Sequence, residues 1–368
     1  MLHAIDIKQA AQAEGFSACG IARAERVSAE REAERHEWIE KGQHGDMDYL
    51  ARNLDKRLDP RLLVEGARSI VSVAVNYNPY DPNKKEAFSN KKEAFSNKKE
   101  VFSNKKEAFS NKKGTYPHDN NASFCSDDNE FCDENANYCN FNAPNELKLA
   151  RYAYGTDYHE VVKQMLGNLM LRLGLKEYED GRCFVDTAPI DEKYWAEQAG
   201  LGWRGRNSQL IIPGMGSYFV LGELVLLNDV DVYDETAKNR CGNCHACLSA
   251  CPMNALNGKG TLDARRCLSY LTIEHRGDLP DEAKNKLGNC FYGCDRCAEV
   301  CPWNRQFAQA TTITELQPRP DILAMTPNDW QHLTLEKYQA LFKKSAVKRA
   351  KFEGITRNIE AVFLNKKQ

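Results

Sequence analysis

The chain has 368 residues, of which 42 % are hydrophobic, and a formal net charge of −2. This length is enough for two or more domains with buried cores, and the balanced charge by itself indicates no polyanionic partner. The longest apolar stretch, residues 218–227, is interrupted by Gly222 and Glu223 and is too short to span a membrane. The N-terminus lacks the segments of an export signal, so we expect a cytoplasmic protein with reduced cysteines and no membrane contact.

The first 230 residues predict one α/β domain, because helix-like and strand-like segments alternate along them. Helices are predicted at residues 5–14, 157–173 and 194–199, and strands at residues 69–77, 183–186, 208–212 and 218–227. Glycines are frequent within residues 185–227. They either let the backbone approach a ligand or serve only to form turns.

A low-complexity insertion interrupts this domain at about residues 83–143. The repeat Asn-Lys-Lys-Glu-Ala-Phe-Ser occurs four times, once with Val101 in place of Ala, and its apolar stripe is thin for a coiled coil. Residues 114–146 hold Cys125, Cys132 and Cys139 without an evident fourth metal ligand nearby. A short amphipathic helix is one interpretation, but the composition favours disorder over most of the insertion.

Nine cysteines lie between residues 241 and 301, and their spacing is the most informative pattern in the chain. The first run is Cys241-x2-Cys244-x2-Cys247-x3-Cys251-Pro252, and the later run is Cys294-x2-Cys297-x3-Cys301-Pro302, with Cys267 and Cys290 between them. The first run matches the bacterial ferredoxin motif, in which three cysteines bind one [4Fe–4S] cluster and the fourth binds the other. Two runs therefore predict two clusters and transfer of single electrons.

The same motif predicts how the cysteines divide between the clusters. A cubane cluster needs four converging thiolates, and in two-cluster ferredoxins the Cys-Pro cysteines exchange partners. One cluster is then predicted to bind Cys241, Cys244, Cys247 and Cys301, and the other Cys251, Cys294, Cys297 and one more cysteine. A regular motif would place that ligand at position 291, which is Phe. Cys267 and Cys290 are both candidates, and we favour Cys267.

Structural zinc is the alternative interpretation of these cysteines. Zinc sites usually use two CxxC pairs with a longer gap between them, whereas these runs have three cysteines and close with Cys-Pro. The pattern therefore favours a ferredoxin-like domain with two [4Fe–4S] clusters at residues 231–310. Together with the first 230 residues, it predicts an α+β protein.

Residues 311–368 are predicted to form a helical, basic C-terminal tail. From Lys337 onward, nine Lys or Arg residues oppose only Glu353 and Glu360, a local net charge of +7. Such a segment is either a solvated helix face or a patch that contacts phosphates.

Several separated motifs resemble the epoxyqueuosine reductase family. They are VDTAP (185–189) and GRNS (205–208) within a longer similar stretch, CLSYLTIEHRG (267–277), and upstream HGDMDYLARNLDKRLDP (44–60) and ARYAYGTDYH (150–159). The motifs occur in the same order as in that family, and the cysteine spacing, Cys267 included, also matches. The resemblance covers nearly the whole chain outside the insertion.

The resemblance implies a cobalamin-dependent enzyme that reduces epoxyqueuosine to queuosine at the wobble position of tRNA. We also expect a monomer. The first 230 residues would form the cobalamin-binding catalytic domain. Electrons from an external one-electron donor would pass through two [4Fe–4S] clusters to cobalamin, which carries the difficult chemistry. The anticodon stem-loop would be the partner, and the epoxide oxygen would leave as water. No DxHxxG motif occurs, so we expect no histidine ligand to the cobalt.

The resemblance also assigns Asp186 as the proton donor to the leaving epoxide oxygen. An acid in this role works best with its pKa raised toward the working pH, and an apolar corrin face would raise it by desolvation. Without the resemblance, Asp186 is explained equally well as the cap of a turn. The other residues that the resemblance places near cobalamin are Arg57, Arg206, Asn207, Ser208, Ser269 and Asp295.

Two other functions fit part of the sequence. Corrinoid reductive dehalogenases share cobalamin and paired clusters, but they typically carry a twin-arginine export signal, and this N-terminus has none. A ferredoxin-like electron carrier without catalytic activity would leave the motifs of residues 185–226 without a function.

Overall fold

The computed structural model describes residues 1–79 and 147–365. The insertion predicted at 83–143, with Cys125, Cys132 and Cys139, lies outside the described residues, as do the last three residues of the chain. In the described parts, no helix combines the length and the apolar character needed to cross a membrane.

The described residues contain eight strands in three sheets. They are β1 (Ala18–Arg23), β2 (Ser69–Asn76), β3 (Lys148–Leu149), β4 (Gly181–Phe184), β5 (Trp203–Arg204), β6 (Leu210–Ile211), β7 (Phe219–Leu226) and β8 (Cys290–Tyr292). The main sheet has the order β1-β2-β7-β4, and its neighbouring strands are all antiparallel. Two small sheets pair β3 with β8 and β5 with β6.

Strand β2 is buried on both faces of the main sheet. Because successive side chains in a strand point to opposite faces, Val71, Val73 and Val75 enter one hydrophobic core and Ile70 and Ala74 enter the other. This double burial explains why the segment has a mainly apolar sequence instead of alternating apolar and polar residues.

Fourteen α-helices are present in the described residues. They are α1 (Ala4–Ala13), α2 (Ala29–Glu40), α3 (Leu54–Leu58), α4 (Tyr158–Arg172), α5 (Glu192–Gln198), α6 (Ala246–Ala250), α7 (Leu268–Ile273), α8 (Asp281–Lys286), α9 (Arg296–Glu299), α10 (Pro302–Phe307), α11 (Pro320–Leu323), α12 (Pro327–Gln331), α13 (Leu335–Leu341) and α14 (Lys351–Asn365). Helices α1 and α4 cover one face of the main sheet, and α5 packs on the other. Gly222 on β7 permits close packing of α4, because a Cβ there would come within 2.8 Å of Val162.

A buried asparagine joins the cysteine segment to the main sheet. Asn304 on α10 accepts a hydrogen bond from the Ser217 backbone N–H at 2.6 Å, and its amide donates to the Ser217 hydroxyl at 2.9 Å. Gly216 lies against this asparagine with φ +86°, and a Cβ there would come within 2.2 Å of the Asn304 Oδ1. This glycine therefore permits contact between the two segments, so part of the glycine pattern serves packing.

The C-terminal helices are packed into the protein. Asn358 on α14 is fully buried, and its amide donates to the carbonyl oxygens of Thr272 and Phe291 at 2.8 and 2.9 Å. Arg357 donates to the carbonyl oxygens of Leu271 and His275 at 3.0 and 3.1 Å. Some of the predicted basic tail thus holds the cysteine segment in place.

The mixed helix-and-sheet fold predicted from the sequence is confirmed. The sheet is antiparallel at each of its pairings, so the first part is not a parallel α/β domain. The strand predicted at 208–212 is only Leu210–Ile211, and the helix predicted at 194–199 begins earlier, at Glu192. Strand β1 and helix α2 were not predicted. The domain boundaries near residues 230 and 310 stay predictions.

Candidate active site

A cleft of about 1250 Å³ is lined by three parts of the chain. The sheet part contributes Tyr158, His159 and Asp186, the cysteine segment contributes four thiols, and the turn before α14 contributes Lys348 and Arg349. The four thiols are those of Cys251, Cys267, Cys294 and Cys297. The cleft thus brings the predicted proton donor and one predicted cluster site into the same cavity.

Asp186 projects from a tight turn that follows β4. Its backbone has φ +48°, a left-handed conformation that non-glycine residues adopt rarely. Tyr158 Oη donates to Asp186 Oδ2 at 2.8 Å, and His159 Nε2 lies 2.9 Å from the same oxygen. The side chain of Asp186 is still 53 % exposed. The carboxylate is therefore fixed by two neighbours while remaining open to the cleft.

The hydrogen bonds determine where the proton of this pair lies. Burial acts to raise the pKa of Asp186, but the bonds from His159 and Tyr158 outweigh burial and lower it. Burial also acts to lower the pKa of His159, yet the bonds to Asp157 and Asp186 raise it to about 9. At neutral pH the pair is therefore a carboxylate and an imidazolium. In the protein by itself the pKa of Asp186 is thus lowered and His159 carries the proton; the raised pKa expected beside a corrin face stays a prediction.

A buried ion cluster holds the other end of the Asp186 turn. Asp191, at the start of α5, receives two hydrogen bonds from Arg31, at 2.8 and 3.0 Å, and two from Arg35, at 3.0 and 2.7 Å. Although burial opposes the charged form, these guanidinium groups lower the pKa of Asp191 well below its usual range. The turn is thus anchored by His159 and Tyr158 at one end and by two arginines at the other.

The first group of cysteines, Cys241, Cys244, Cys247 and Cys301, clusters away from the cleft. Burial, followed by the charges of Cys301, Cys244 and Cys241, raises the pKa of Cys247 to about 11. The indole N–H of Trp203 points at the Cys241 Sγ across 3.4 Å. Trp203 is fully buried, whereas Cys241 is partly exposed.

The second group of cysteines, Cys251, Cys267, Cys294 and Cys297, faces the cleft. Burial raises the pKa of Cys297 well above its usual value, and the charges of Cys294 and Cys267 add to this effect. Burial also raises the pKa of Cys267, and the charge of Cys251 adds to this effect. The backbone N–H of Ala255 donates to the Cys251 Sγ at 3.3 Å.

Cys290 occupies a different environment from these thiols. Its thiol donates to the carbonyl oxygens of Tyr292 and Gly293 at 3.5 and 3.3 Å. Burial raises the pKa of Cys290 far above the usual value of a thiol. Cys267 instead lines the cleft together with Cys251, Cys294 and Cys297. Of the two candidates for the eighth ligand, this geometry favours Cys267.

No three His, Cys, Asp or Glu side chains within residues 1–79 and 147–365 are arranged to hold a single metal ion. A four-iron cluster distributes its thiolates differently, with one cysteine for each iron atom.

The other residues predicted near cobalamin divide into two sets. Asn207, Ser208 and Ser269 line the cleft. Arg57, Arg206 and Asp295 are not among the described residues that line it. Arg206 donates to the carbonyl oxygens of Gly242 and Gly258 at 2.9 and 3.2 Å, and Asp295 accepts a 2.7 Å bond from the backbone N–H of Arg151.

Arg57 also donates a hydrogen bond within the protein, but not all of its donor groups have a partner. Its guanidinium donates to the Ile190 carbonyl oxygen at 3.3 Å. Its Nε is buried and has no hydrogen-bond partner among the residues that the structure describes. Burial lowers the pKa of this arginine. Arg57 is therefore a cation close to the Asp186 turn with one donor still available.

Sequence reasoning missed Tyr158 and His159 as functional residues. No histidine was expected beside the predicted proton donor, yet His159 Nε2 lies 2.9 Å from Asp186 Oδ2. The signal was present in the sequence: Asp157, Tyr158 and His159 lie in the motif ARYAYGTDYH. Which of these side chains would contact Asp186 depended on the start of α4, which only the fold shows.

Comparisons with known proteins agree with these features. The family model described as "4Fe-4S double cluster binding domain" matches residues 240–304, and the model described as "Epoxyqueuosine reductase QueG, DUF1730" matches residues 131–187. The epoxyqueuosine reductase of Leadbetterella byssophila is 38 % identical over 359 residues, which cover 97 % of each chain.

Solved structures show the same fold. The structure of epoxyqueuosine reductase from Streptococcus thermophilus has a TM-score of 0.75 and 24 % identity, and the match covers 99 % of this chain and 81 % of that one. A crystal structure of an epoxyqueuosine reductase with an epoxyqueuosine-modified stem loop of tRNA-Tyr matches with the same TM-score, identity and coverage.

Proposed function

This chain belongs to the epoxyqueuosine reductase family and is therefore an oxidoreductase, and from this premise we propose that it reduces the epoxide of epoxyqueuosine in tRNA to the alkene of queuosine. The observation that carries the proposal is the cleft in which Asp186 and four cysteines line the same cavity. Its volume of about 1250 Å³ exceeds the range of about 300–1000 Å³ typical of small-ligand pockets. The cleft thus has space for a large cofactor together with a base of the substrate.

Two [4Fe–4S] clusters fit the two cysteine groups. Cys241, Cys244, Cys247 and Cys301 would bind the first, and Cys251, Cys267, Cys294 and Cys297 the second. The N–H groups of Trp203 and Ala255 point at thiol sulfurs of these groups, at 3.4 and 3.3 Å. Hydrogen bonds to cluster sulfurs are one of the means by which proteins set the reduction potential.

Cobalamin fits the cleft between the second group and Asp186. Asn207, Ser208 and Ser269 line the cleft and would contact the corrin. We keep Arg57, Arg206 and Asp295 as proposed contacts; the Nε atoms of Arg57 and Arg206 both lack a hydrogen-bond partner among the described residues. When bound, the clusters and cobalamin supply the electrons that reduce the epoxide carbon.

The chain's own residues supply and place the proton. Asp186 faces the cleft, and we propose that it transfers a proton to the leaving epoxide oxygen. His159 stores that proton, because its bonds to Asp157 and Asp186 raise its pKa to about 9. Tyr158 holds the carboxylate in position through its 2.8 Å hydrogen bond. Positioned acid–base groups of this kind contribute rate factors of about 10²–10⁴.

Cations on the cleft wall are suited to an RNA partner. Arg52, Arg296, Lys348 and Arg349 all line the cleft, and Lys348 and Arg349 belong to the basic C-terminal segment. We propose that some of these residues contact phosphates of the anticodon stem-loop, so that the wobble base can enter the cleft unstacked. The tRNA of the related crystal structure supports this substrate class.

The source of the electrons is part of the same proposal. The first cysteine group lies away from the cleft, so we propose that an external one-electron donor delivers electrons there. All described cysteines are free, which fits the reducing cytoplasm as the proposed location. We propose a monomer as the active form.

The direct test is an anaerobic assay on tRNA that carries epoxyqueuosine. Full-length protein with reconstituted clusters is given a chemical reductant, with and without cobalamin, and the nucleosides are identified by mass spectrometry. We expect queuosine only when cobalamin is present. Cluster absorption with no corrinoid uptake and no product would instead indicate an electron carrier and overturn the proposal.

A further inference from the structure

A second, smaller cavity lies behind Asp186. Its volume is about 110 Å³, and Asp186 and Tyr158 line it as well as the large cleft. Glu192, Lys193 and Ser217 are among its other polar lining residues. This volume is large enough to hold water molecules. Because Asp186 and Glu192 both line the cavity, water in it would connect Asp186 to the start of α5.

Glu192 is the carboxyl group that this cavity connects to Asp186. One of its oxygens accepts a hydrogen bond from the Asp186 backbone N–H, so the two residues are in direct contact. Burial, and then the charge of Asp186, raises the pKa of Glu192 to about 8. With this pKa the side chain is a neutral acid at pH 7 and holds a transferable proton. The titratable and charged groups that face it are Asp186, Tyr158, Asp191, Lys193, Glu223 and Arg57.

Glu223 shows how strongly this region disfavours negative charge. It lies on β7 and is fully buried, and neither of its carboxyl oxygens has a hydrogen-bond partner among the described residues. Burial, and then the charges of Glu192 and Asp191, raises the pKa of Glu223 well above its usual value. Leaving a carboxylate buried without partners is costly, so Glu223 is held as a neutral acid. A neutral Glu223 in turn leaves Glu192 without a second negative neighbour on that side.

The proposed reaction needs two protons. Reduction of an epoxide to an alkene breaks both C–O bonds, consumes two electrons and two protons, and releases the oxygen as water. The electrons come from the clusters and cobalamin of the proposed function. The first proton, which converts the alkoxide to a hydroxyl, comes from the His159–Asp186 pair. This pair holds one transferable proton, so the second, which lets the hydroxyl leave as water, needs a further source.

Resting on the proposed function, we infer that Glu192 stores this second proton and delivers it to the His159–Asp186 pair through the small cavity. Glu192 then becomes a carboxylate, which solvent reprotonates after product release. Its role is to supply a proton through Asp186, since Asp186 is the group that faces the substrate. No other redox partner is required, because only a proton moves in this step.

The proton on Glu192 is measurable without turnover. Infrared spectra of the full-length, cluster-loaded protein without substrate are compared between wild type and Glu192→Gln. We expect the wild-type spectrum to contain an additional carbonyl band of a neutral carboxylic acid, which disappears as the pH rises through about 8. No difference band at pH 7 would overturn the inference, whatever the enzyme does with tRNA.

Single-turnover assays with a chemical reductant test the delivery of the proton. In wild type we expect the rate to fall as the pH rises through about 8, because Glu192 loses its proton. Glu192→Gln is expected to be slower by about 10²-fold. Its single-turnover rate should decline only at about pH 9, where His159 deprotonates. Glu192→Asp, which restores a titratable group, should recover part of the rate even if the glutamine variant folds poorly.

Glu197→Gln is the matched control. Glu197 lies on the same helix, and burial raises its pKa to about 7, but it accepts a bond from the Arg204 backbone N–H and does not line the small cavity. We expect wild-type rate and pH dependence from this control. A Glu192→Gln variant with the wild-type rate and pH profile would overturn the inference and leave the proposed function intact. Absence of queuosine from the wild type would contradict the function itself.

Discussion

The two cysteine groups share a spacing pattern but occupy different surroundings. In the first group, Cys247 and Cys301 are buried, and Cys241 faces the indole of Trp203 at 3.4 Å. In the second group, all four thiols line the cleft that also contains Asp186. The same motif thus gives one site away from the cleft, with Cys241 and Cys244 partly exposed, and one that faces a reaction space. This difference gives the proposed electron path a direction, from the first group to the cleft.

The largest expected effect comes from removing a ligand of the second group. We expect Cys267→Ser to lose about half of the bound iron, since each cluster needs four ligands, and to lose all activity. Cys290→Ser is the matched control, because the Cys290 thiol already donates to the carbonyl oxygens of Tyr292 and Gly293. Iron content and electron paramagnetic resonance of the reduced proteins measure both variants. Loss of iron in Cys290→Ser with full iron in Cys267→Ser would reverse the ligand assignment.

The next largest effect is expected from replacing Asp186, on the opposite wall of the cleft. Asp186→Asn keeps the shape of the side chain but cannot carry the proton to the substrate. We expect turnover to fall by about 10²–10⁴-fold, the usual contribution of a positioned acid or base. Iron content and cobalamin uptake should stay at wild-type levels, because the cysteine groups are untouched. Wild-type turnover by this variant would remove Asp186 from the mechanism and leave the cluster assignment unaffected.

A smaller effect is expected from replacing His159, and the direction in which the pH dependence of the rate should move can be stated. In wild type, the pair keeps its proton up to about pH 9, because bonds to Asp157 and Asp186 raise the pKa of His159. In His159→Gln the proton can reside only on Asp186, so it should be lost at lower pH. We therefore expect the alkaline decline of the rate to move toward acid pH. A rate profile that is lower overall but unchanged in pH dependence would mean that His159 only positions Asp186.

The sequence was sufficient for the features that depend on local spacing. It gave the two cysteine runs, the strand at Ser69–Asn76 and the helix at Tyr158–Arg172 within one residue at either end. Features that depend on long-range packing could not be predicted from the sequence. The pairing of Arg31 and Arg35 with Asp191 joins residues about 160 positions apart, and no periodicity connects them. The contact of His159 with Asp186 was missed for the same reason, because the fold brings these two residues together.

The smallest expected effect concerns the first cysteine group. Trp203→Phe should keep the buried aromatic packing but remove the N–H that faces Cys241 Sγ. A hydrogen bond is worth about 0.5–1.5 kcal/mol, which for one electron corresponds to about 20–60 mV. We expect the potential of the first cluster to fall by this amount, because the bond favours the more negative, reduced state, while the second cluster keeps its potential.

Trp303→Phe is the matched control for that measurement. Its ring packs against Trp203 with centroids 4.9 Å apart, so it tests the loss of aromatic contact in the same environment. Redox titration followed by electron paramagnetic resonance separates the two clusters in both variants. Equal shifts in the two variants would show that aromatic packing, rather than the indole hydrogen bond, sets the potential of the first cluster.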